Sequence, residues 1–178
     1  MNTYHNYIFL NEINNEIKFK IKKIRKISII YYEDNSTVFD EVNCKIIRNF
    51  CKNIKAPFYV MNCIKKADKY KANGIYISAN NRRIILNKYP NLKIIGSAHN
   101  NLDYYFKFNQ KCTMIMLSPL FYNKKYSYYK ILGATKFRLI TKNWKAHFCA
   151  LGGINMNKLD KIKLIKTENI AYRSTIYS

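Results

Sequence analysis

His99 closes an apolar run, with Ser97-Ala98 before it and Asn100 after it. An imidazole titrates near neutral pH, so it can carry a proton to and from a substrate. The plainer role for the same residue is a surface or capping histidine. Gly152 and Gly153 end another apolar run and are two of only five glycines in the chain. A glycine pair at such a place lets backbone N–H groups close on an anion, with the dipole of a following helix behind them. The alternative is a tight turn that holds no ligand. Ser174, after the last apolar run, offers a hydroxyl for the same anion. Lys124 and Lys125 lie among Phe121, Tyr122, Tyr126, Tyr128 and Tyr129. A basic loop of this kind can cover a phosphorylated ligand or stack on single-stranded nucleic acid, or it is polar loop without a partner. His5 and His147 have weaker claims, since His147 begins its apolar run instead of ending it.

Positioning these residues requires regular elements. Strands are expected at Tyr7–Glu12, Ile27–Tyr32, Phe58–Cys63, Ile75–Ser78, Leu92–Gly96, Thr113–Leu117, Ala146–Leu151 and Ile170–Thr175, where β-branched and aromatic residues cluster. Helical spacing is expected over Asn14–Lys26, Val38–Ile54, Lys65–Asn73, Arg82–Lys88, Asn101–Asn109, part of Tyr129–Lys142 and Met156–Lys166. Asn35-Ser36-Thr37 is the expected cap of the second helix, and Gly74 the expected C-terminal glycine of the third. Strands alternating with helices imply parallel βαβ units. Eight of them make an α/β fold of compact (β/α)8 TIM-barrel type, with ligands on the loops after the strands. A typical barrel uses ~250 residues, so several helices must be short here, and a doubly wound sheet of fewer strands is the structural rival. Without a fixed-period repeat or a linker, residues 1–178 are expected to form one domain.

Composition narrows the classes. Hydrophobic residues make 48% of the chain, enough for a core and too many for a disordered polymer. No apolar run approaches the ~20 residues of a membrane span. Lys and Arg number 32 against 10 acids, a net charge of +22. Lys far exceeds Arg and Ile far exceeds Val, and Asn is abundant, as A/T-rich codons would give. Codon bias is therefore the main expected source of the basicity, with an anionic partner, nucleic acid included, as the alternative. The five cysteines form no CxxC pair and no zinc spacing. They fit small buried thiols in a reducing cytoplasm, and Met1 to Leu10 shows no export signal. Metal is poorly supported, because of the acids only Glu33 and Asp34 stand at the ends of the second to eighth strands.

Short pieces at these positions carry a resemblance. FYVMN at Phe58–Asn62, NGIYIS at Asn73–Ser78, IIGSAH at Ile94–His99, MLSPLF at Met116–Phe121 and ALGGI at Ala150–Ile154 follow one another, and Ile170–Thr175 closes the series with its Ser. In this order and at this spacing the chain resembles the thiamine phosphate synthase/TenI family over roughly Ile27–Ile176. The resemblance implies a TIM barrel in thiamine biosynthesis. Synthases there join a pyrimidine diphosphate to a thiazole phosphate with Mg²⁺, and TenI-type tautomerases isomerise a thiazole carboxylate phosphate with a histidine. It implies that Gly152, Gly153 and Ser174 hold the thiazole phosphate, that Asn62, Ser97, Asn123 and Lys124 line the substrate, and that His99 moves the proton.

The chain also departs from the family. The family's Q-x-R-E-K after the second strand is replaced by Ile30-Tyr31-Tyr32-Glu33-Asp34, and its magnesium aspartates by Cys63 and by Ser78-Ala79-Asn80-Asn81. The diphosphate and metal side is thus stripped, while the thiazole-phosphate side is kept. Mg²⁺ is expected only if synthase activity is retained. A metal-free tautomerase, or a non-catalytic binder or regulator on the same barrel, fits these residues better than a full synthase, and a basic nucleic-acid-binding protein is the third reading.

Overall fold

The computed structural model describes residues 4–33, 39–83, 91–122, 131–144, 146–154, 159–165 and 167–173. In chain order the elements are β1 (His5–Leu10), α1 (Asn15–Lys22), β2 (Ile27–Tyr31), α2 (Glu41–Asn53), β3 (Phe58–Met61), α3 (Ile64–Lys69), β4 (Gly74–Ile77), β5 (Lys93–Ala98), α4 (Asn101–Asn109), β6 (Met114–Leu117), α5 (Gly133–Asn143), β7 (His147–Leu151), α6 (Leu159–Lys163) and β8 (Asn169–Tyr172). The eight strands are all parallel and close as β1-β2-β3-β4-β5-β6-β7-β8, with β8 pairing back on β1. The compact (β/α)8 barrel is therefore the fold, and the doubly wound sheet is not. The expected helix at Arg82–Lys88 falls largely outside the described residues.

Each strand alternates between two environments. Tyr7, Phe9, Ile30, Tyr59, Tyr76, Ile95, Met114, Met116, Cys149 and Ala171 fill the barrel interior. Ile8, Leu10, Ile29, Phe58, Val60, Ile115, Ala150 and Ile170 join the helices in the outer core. Large rings inside demand small partners beside them. Tyr59 lies in register with Gly74, and Tyr7 with Ala171 and Ser28. A Cβ at Gly74 would meet the Lys93 carbonyl oxygen and come 2.7 Å from the Tyr59 ring. Gly74 thus opens β4 and gives Tyr59 its room; it does not end the preceding helix, as the sequence had suggested.

Helix ends explain that correction. α2, α3 and α4 each finish with a lysine in the left-handed region, Lys55 (φ 54), Lys71 (φ 47) and Lys111 (φ 57). Behind each stands a Schellman pair of backbone bonds: Ala56 N–H to Cys51 O and Lys55 N–H to Lys52 O, at 2.9 and 3.1 Å, and the equivalents at Ala72/Lys71 and Cys112/Lys111. Lysine takes the place usually given to glycine. The N-termini follow ordinary chemistry. Asn14 caps α1 by accepting from Ile17 N–H at 2.8 Å, and Asp40 caps α2 by accepting from Asn43 N–H at 2.9 Å. Asn35–Thr37, the expected cap, lie outside the described residues, and α2 begins at Glu41. Ile17 and Ile21 are buried on one face of α1, and Cys44, Ile47 and Cys51 on one face of α2. Burial pushes the Cys44 and Cys51 thiols up to about 12, as inert core thiols require.

Candidate functional site

The C-terminal ends of the strands gather the candidate residues. Along β5, Ile95 points inward while Ala98 joins the outer core. A Cβ on Gly96 would sit 2.7 Å from Cys112 Sγ and 2.8 Å from Lys107 Cδ, so that residue faces the helices. The pleat therefore aims Ser97 into the barrel and carries His99 to its rim. Ser97 is buried, in register with Met116 one layer below the histidine.

The start of α4 and the end of β6 fix His99. Asn100 caps α4 by accepting from Asp103 N–H at 2.8 Å. The buried Asp103 carboxylate reaches back to accept from His99 N–H at 3.1 Å, and Arg82 approaches its other oxygen at 3.5 Å. The imidazole Nδ1 stands 2.8 Å from the Ser118 carbonyl oxygen and 3.1 Å from Ser118 Oγ. A carbonyl only accepts, so Nδ1 carries the proton in the neutral ring and Nε2 carries the lone pair. The exposed ring is thus held in the tautomer that carries its proton on Nδ1.

The segment that holds His99 also packs on the glycine pair. Gly152 and Gly153 have φ of 90° and 67°. A Cβ on Gly152 would lie 3.0 Å from Pro119 Cα, and one on Gly153 would meet the Phe121 carbonyl. Leu120 N–H donates to Leu151 O at 2.9 Å and Phe121 N–H to Gly152 O at 3.0 Å. The glycines therefore have a steric reason to be there, the close approach of residues 119–122, in addition to any anion. Ser118 to Phe121 forms a continuous bridge from the imidazole to the glycine turn.

Asn62 lies elsewhere on the mouth, in the left-handed region at φ 53°. Its amide nitrogen donates to Ser78 Oγ and its carbonyl accepts from Ser78 N–H, both at 2.9 Å, and together they clasp β3 to β4. Asn123, Lys124 and Ser174 lie outside the described residues. Three further mouth residues had no assigned role in the sequence: Ser118, Asp103 and Arg173. Asp103 had a signal in its place three residues after the Asn100 cap, whereas Ser118 touches His99 across nineteen positions that no local pattern connects. The described residues do not fit a magnesium site. Among the described residues no three His, Cys, Asp or Glu side chains come together. The Glu33 carboxylate after β2 accepts from Lys66 Nζ at 3.1 Å, and Asp103 is committed to His99 and Arg82.

A closed parallel barrel with an oriented imidazole joined to a glycine turn at its mouth makes the chain a (β/α)8 protein. A family model described as thiamine monophosphate synthase matches residues 27–176, and the chain belongs to that family. A thiamine-phosphate synthase of Prochlorococcus marinus (strain AS9601) is 28% identical over 120 residues, 66% of this chain and 34% of the relative. The match thus spans about a third of that relative's length. A thiamine phosphate pyrophosphorylase from Pyrococcus furiosus superposes with a TM-score of 0.79 at 17% identity, covering 97% of this chain and 87% of that one. One from Bacteroides thetaiotaomicron gives 0.63 at 13%, covering 98% and 84%. At those identities the likeness is one of fold. No helix among the described residues is long and apolar enough to cross a membrane.

Proposed function

We propose that the chain, as one domain over residues 1–178, binds a thiazole phosphate at the barrel mouth and isomerises its carboxylated form as a metal-independent tautomerase. The observation that carries this reading is the His99 ring. With Nδ1–H donated to the Ser118 carbonyl, Nε2 removes a proton from one ligand position and returns it at another, so the ligand keeps all its atoms and electrons. Gly152 and Gly153 hold the phosphate, joined to the histidine through residues 118–121, and Ser174, Asn123 and Lys124 complete the pocket. Ser97 and Asn62 act below and beside it, Asn62 by keeping β3 and β4 together. Five thiols without a disulfide among them suit a reducing cytoplasm.

The test is turnover of the thiazole carboxylate phosphate in excess EDTA, followed by NMR in D2O for solvent deuterium in the product. His99→Ala should abolish the exchange while leaving ligand affinity within about twofold, because general acid–base catalysis contributes roughly 10²–10⁴-fold to rate and little to binding. Unaltered exchange in that variant removes the role of His99. The synthase reading rests on the relative named thiamine-phosphate synthase. Formation of thiamine phosphate from a pyrimidine diphosphate, only with Mg²⁺, would select it. Binding without either reaction would select the non-catalytic binder.

A further inference from the structure

The net charge of +22 is not spread evenly over the barrel. In a parallel barrel every helix ends where the next strand begins, so helix C-termini and αβ loops share the face opposite the mouth. Glu12, Glu16, Glu33, Asp40, Glu41 and Asp103 stand after strands or at the starts of helices, on the mouth side. Lys26, Lys55, Lys71, Lys93 and Lys111 stand at the other end, all exposed, at the entries to β2, β3, β4, β5 and β6. Those strands are consecutive neighbours, so the lysines form an arc around the barrel floor. The exposed acids Asp68, one turn before Lys71, and Glu168, ahead of β8 and outside the arc, share that end. Among the described residues none of the five lysines pairs with a carboxylate, whereas Lys20, Lys66 and Lys69 pair with Glu16, Glu33 and Glu41.

Placement, not abundance, needs a cause. A/T-rich codons supply asparagine as well as lysine, and the chain is rich in both. Lys26, Lys55, Lys71 and Lys111 hold left-handed backbone, with φ from 47° to 57°. Asparagine takes that conformation more easily than lysine. Yet Asn62, at the mouth, is the one asparagine among the described left-handed residues. The helix dipole favours cations within the last turn, and these lysines lie beyond it. Positive charge is thus kept on the floor at a backbone cost. Lysine meets phosphate as a point charge and lacks the bidentate fork with which arginine reads bases. Phe108 and Trp144, exposed at the ends of α4 and α5, set flat rings beside the arc. Sites for single strands combine such rings with a basic track. From this arrangement we infer that the barrel floor binds single-stranded nucleic acid without sequence preference. The face lies opposite His99 and Gly152–Gly153, so the inference stands apart from the ligand reading of the mouth.

The experiment is fluorescence anisotropy of labelled oligo(dT), about 16 nucleotides long, with the full chain across a salt series. Each phosphate contact on a single strand contributes about −0.7 to the slope of log affinity against log salt. The combined variant Lys26→Asn, Lys55→Asn, Lys71→Asn and Lys111→Asn removes four charges and suits the left-handed backbone, so it should unfold in urea no earlier than the wild type. It should flatten the slope by about 3 and weaken binding at about 0.1 M salt by roughly 10²–10³-fold. A charge-matched variant on the sides of α1, α2, α3 and α5, Lys18→Gln, Lys45→Gln, Lys65→Gln and Lys136→Gln, should move the slope by less than about 1. No binding by the wild type, an unchanged slope in the floor variant, or an equal loss in the charge-matched one would overturn the assignment. So would a duplex of the same length bound as tightly as the single strand, or phosphatidylserine vesicles bound in preference to it.

Discussion

Lys107 sits on α4 with no exposed surface, its stem against Gly96 and its Nζ donating to Asn81 O at 2.7 Å and Gln110 Oε1 at 2.9 Å. Burial lowers its pKa from the ordinary 10.5 to about 8, with Arg82 lowering it further and Cys112 and Asp103 opposing. A tenfold change in proton affinity is worth about 1.4 kcal/mol, so the charged lysine costs the folded state about 3 kcal/mol. Below pH 8 both states are protonated and the full cost applies. Between pH 8 and 10.5 the folded state gives up its proton while the unfolded chain keeps it, so stability rises with pH across that window. The raised thiols of Cys44, Cys51 and Cys112 act oppositely, withdrawing stability above pH 9. The quantity to measure is therefore a difference. Lys107→Met keeps the stem volume, and Asn81 O still accepts from Gln110 Nε2 at 3.2 Å. Urea unfolding of both proteins at about pH 7 and about pH 10.5 should show the wild type gaining about 3 kcal/mol on the variant between the two. A pH-independent difference would refute the reasoning.

Other expectations follow from the backbone and the barrel floor. Gly153→Ala combines a left-handed φ with a clash at the Phe121 carbonyl, and should cost at least about 2 kcal/mol in urea unfolding; a loss under about half a kcal/mol would show that residues 119–122 yield freely. Lys111→Gly relieves a left-handed lysine that is exposed, and should stabilise by about 1 kcal/mol, read as a higher urea midpoint with unchanged slope. His5, with Nε2 2.8 Å from Ser28 Oγ, has its pKa lowered by burial and by Lys26 and Lys93. The unfolded chain then takes a proton that the folded one refuses as pH falls below 6.5, so stability drops there, and His5→Gln should flatten that drop in acid titrations of the melting midpoint.

The alternation of β-branched runs with periodic segments made the barrel readable, because each strand is buried on both faces and so spells a short apolar word. Helix ends were harder. In a chain with five glycines the left-handed positions after α2, α3 and α4 go to lysine, which carries no sequence mark. Gly74 therefore looked like a helix end when it is the start of a strand. Scarcity made Gly152–Gly153 conspicuous, and position after a strand did the same for His99. Their connection was hidden, since it runs through Ser118–Phe121 and only barrel closure brings that segment to both. The contact of the Arg173 guanidinium with the Tyr32 ring was hidden for a similar reason: β1 separates the strands that the two residues follow.

The proposal that this mouth holds a thiazole phosphate without a metal is tested most directly by calorimetric titration. The wild-type chain is titrated with thiazole phosphate, in EDTA and then in excess Mg²⁺. Saturable 1:1 binding of equal affinity in both is the predicted result. Heat of binding that emerges only with Mg²⁺, or none in either, would contradict it.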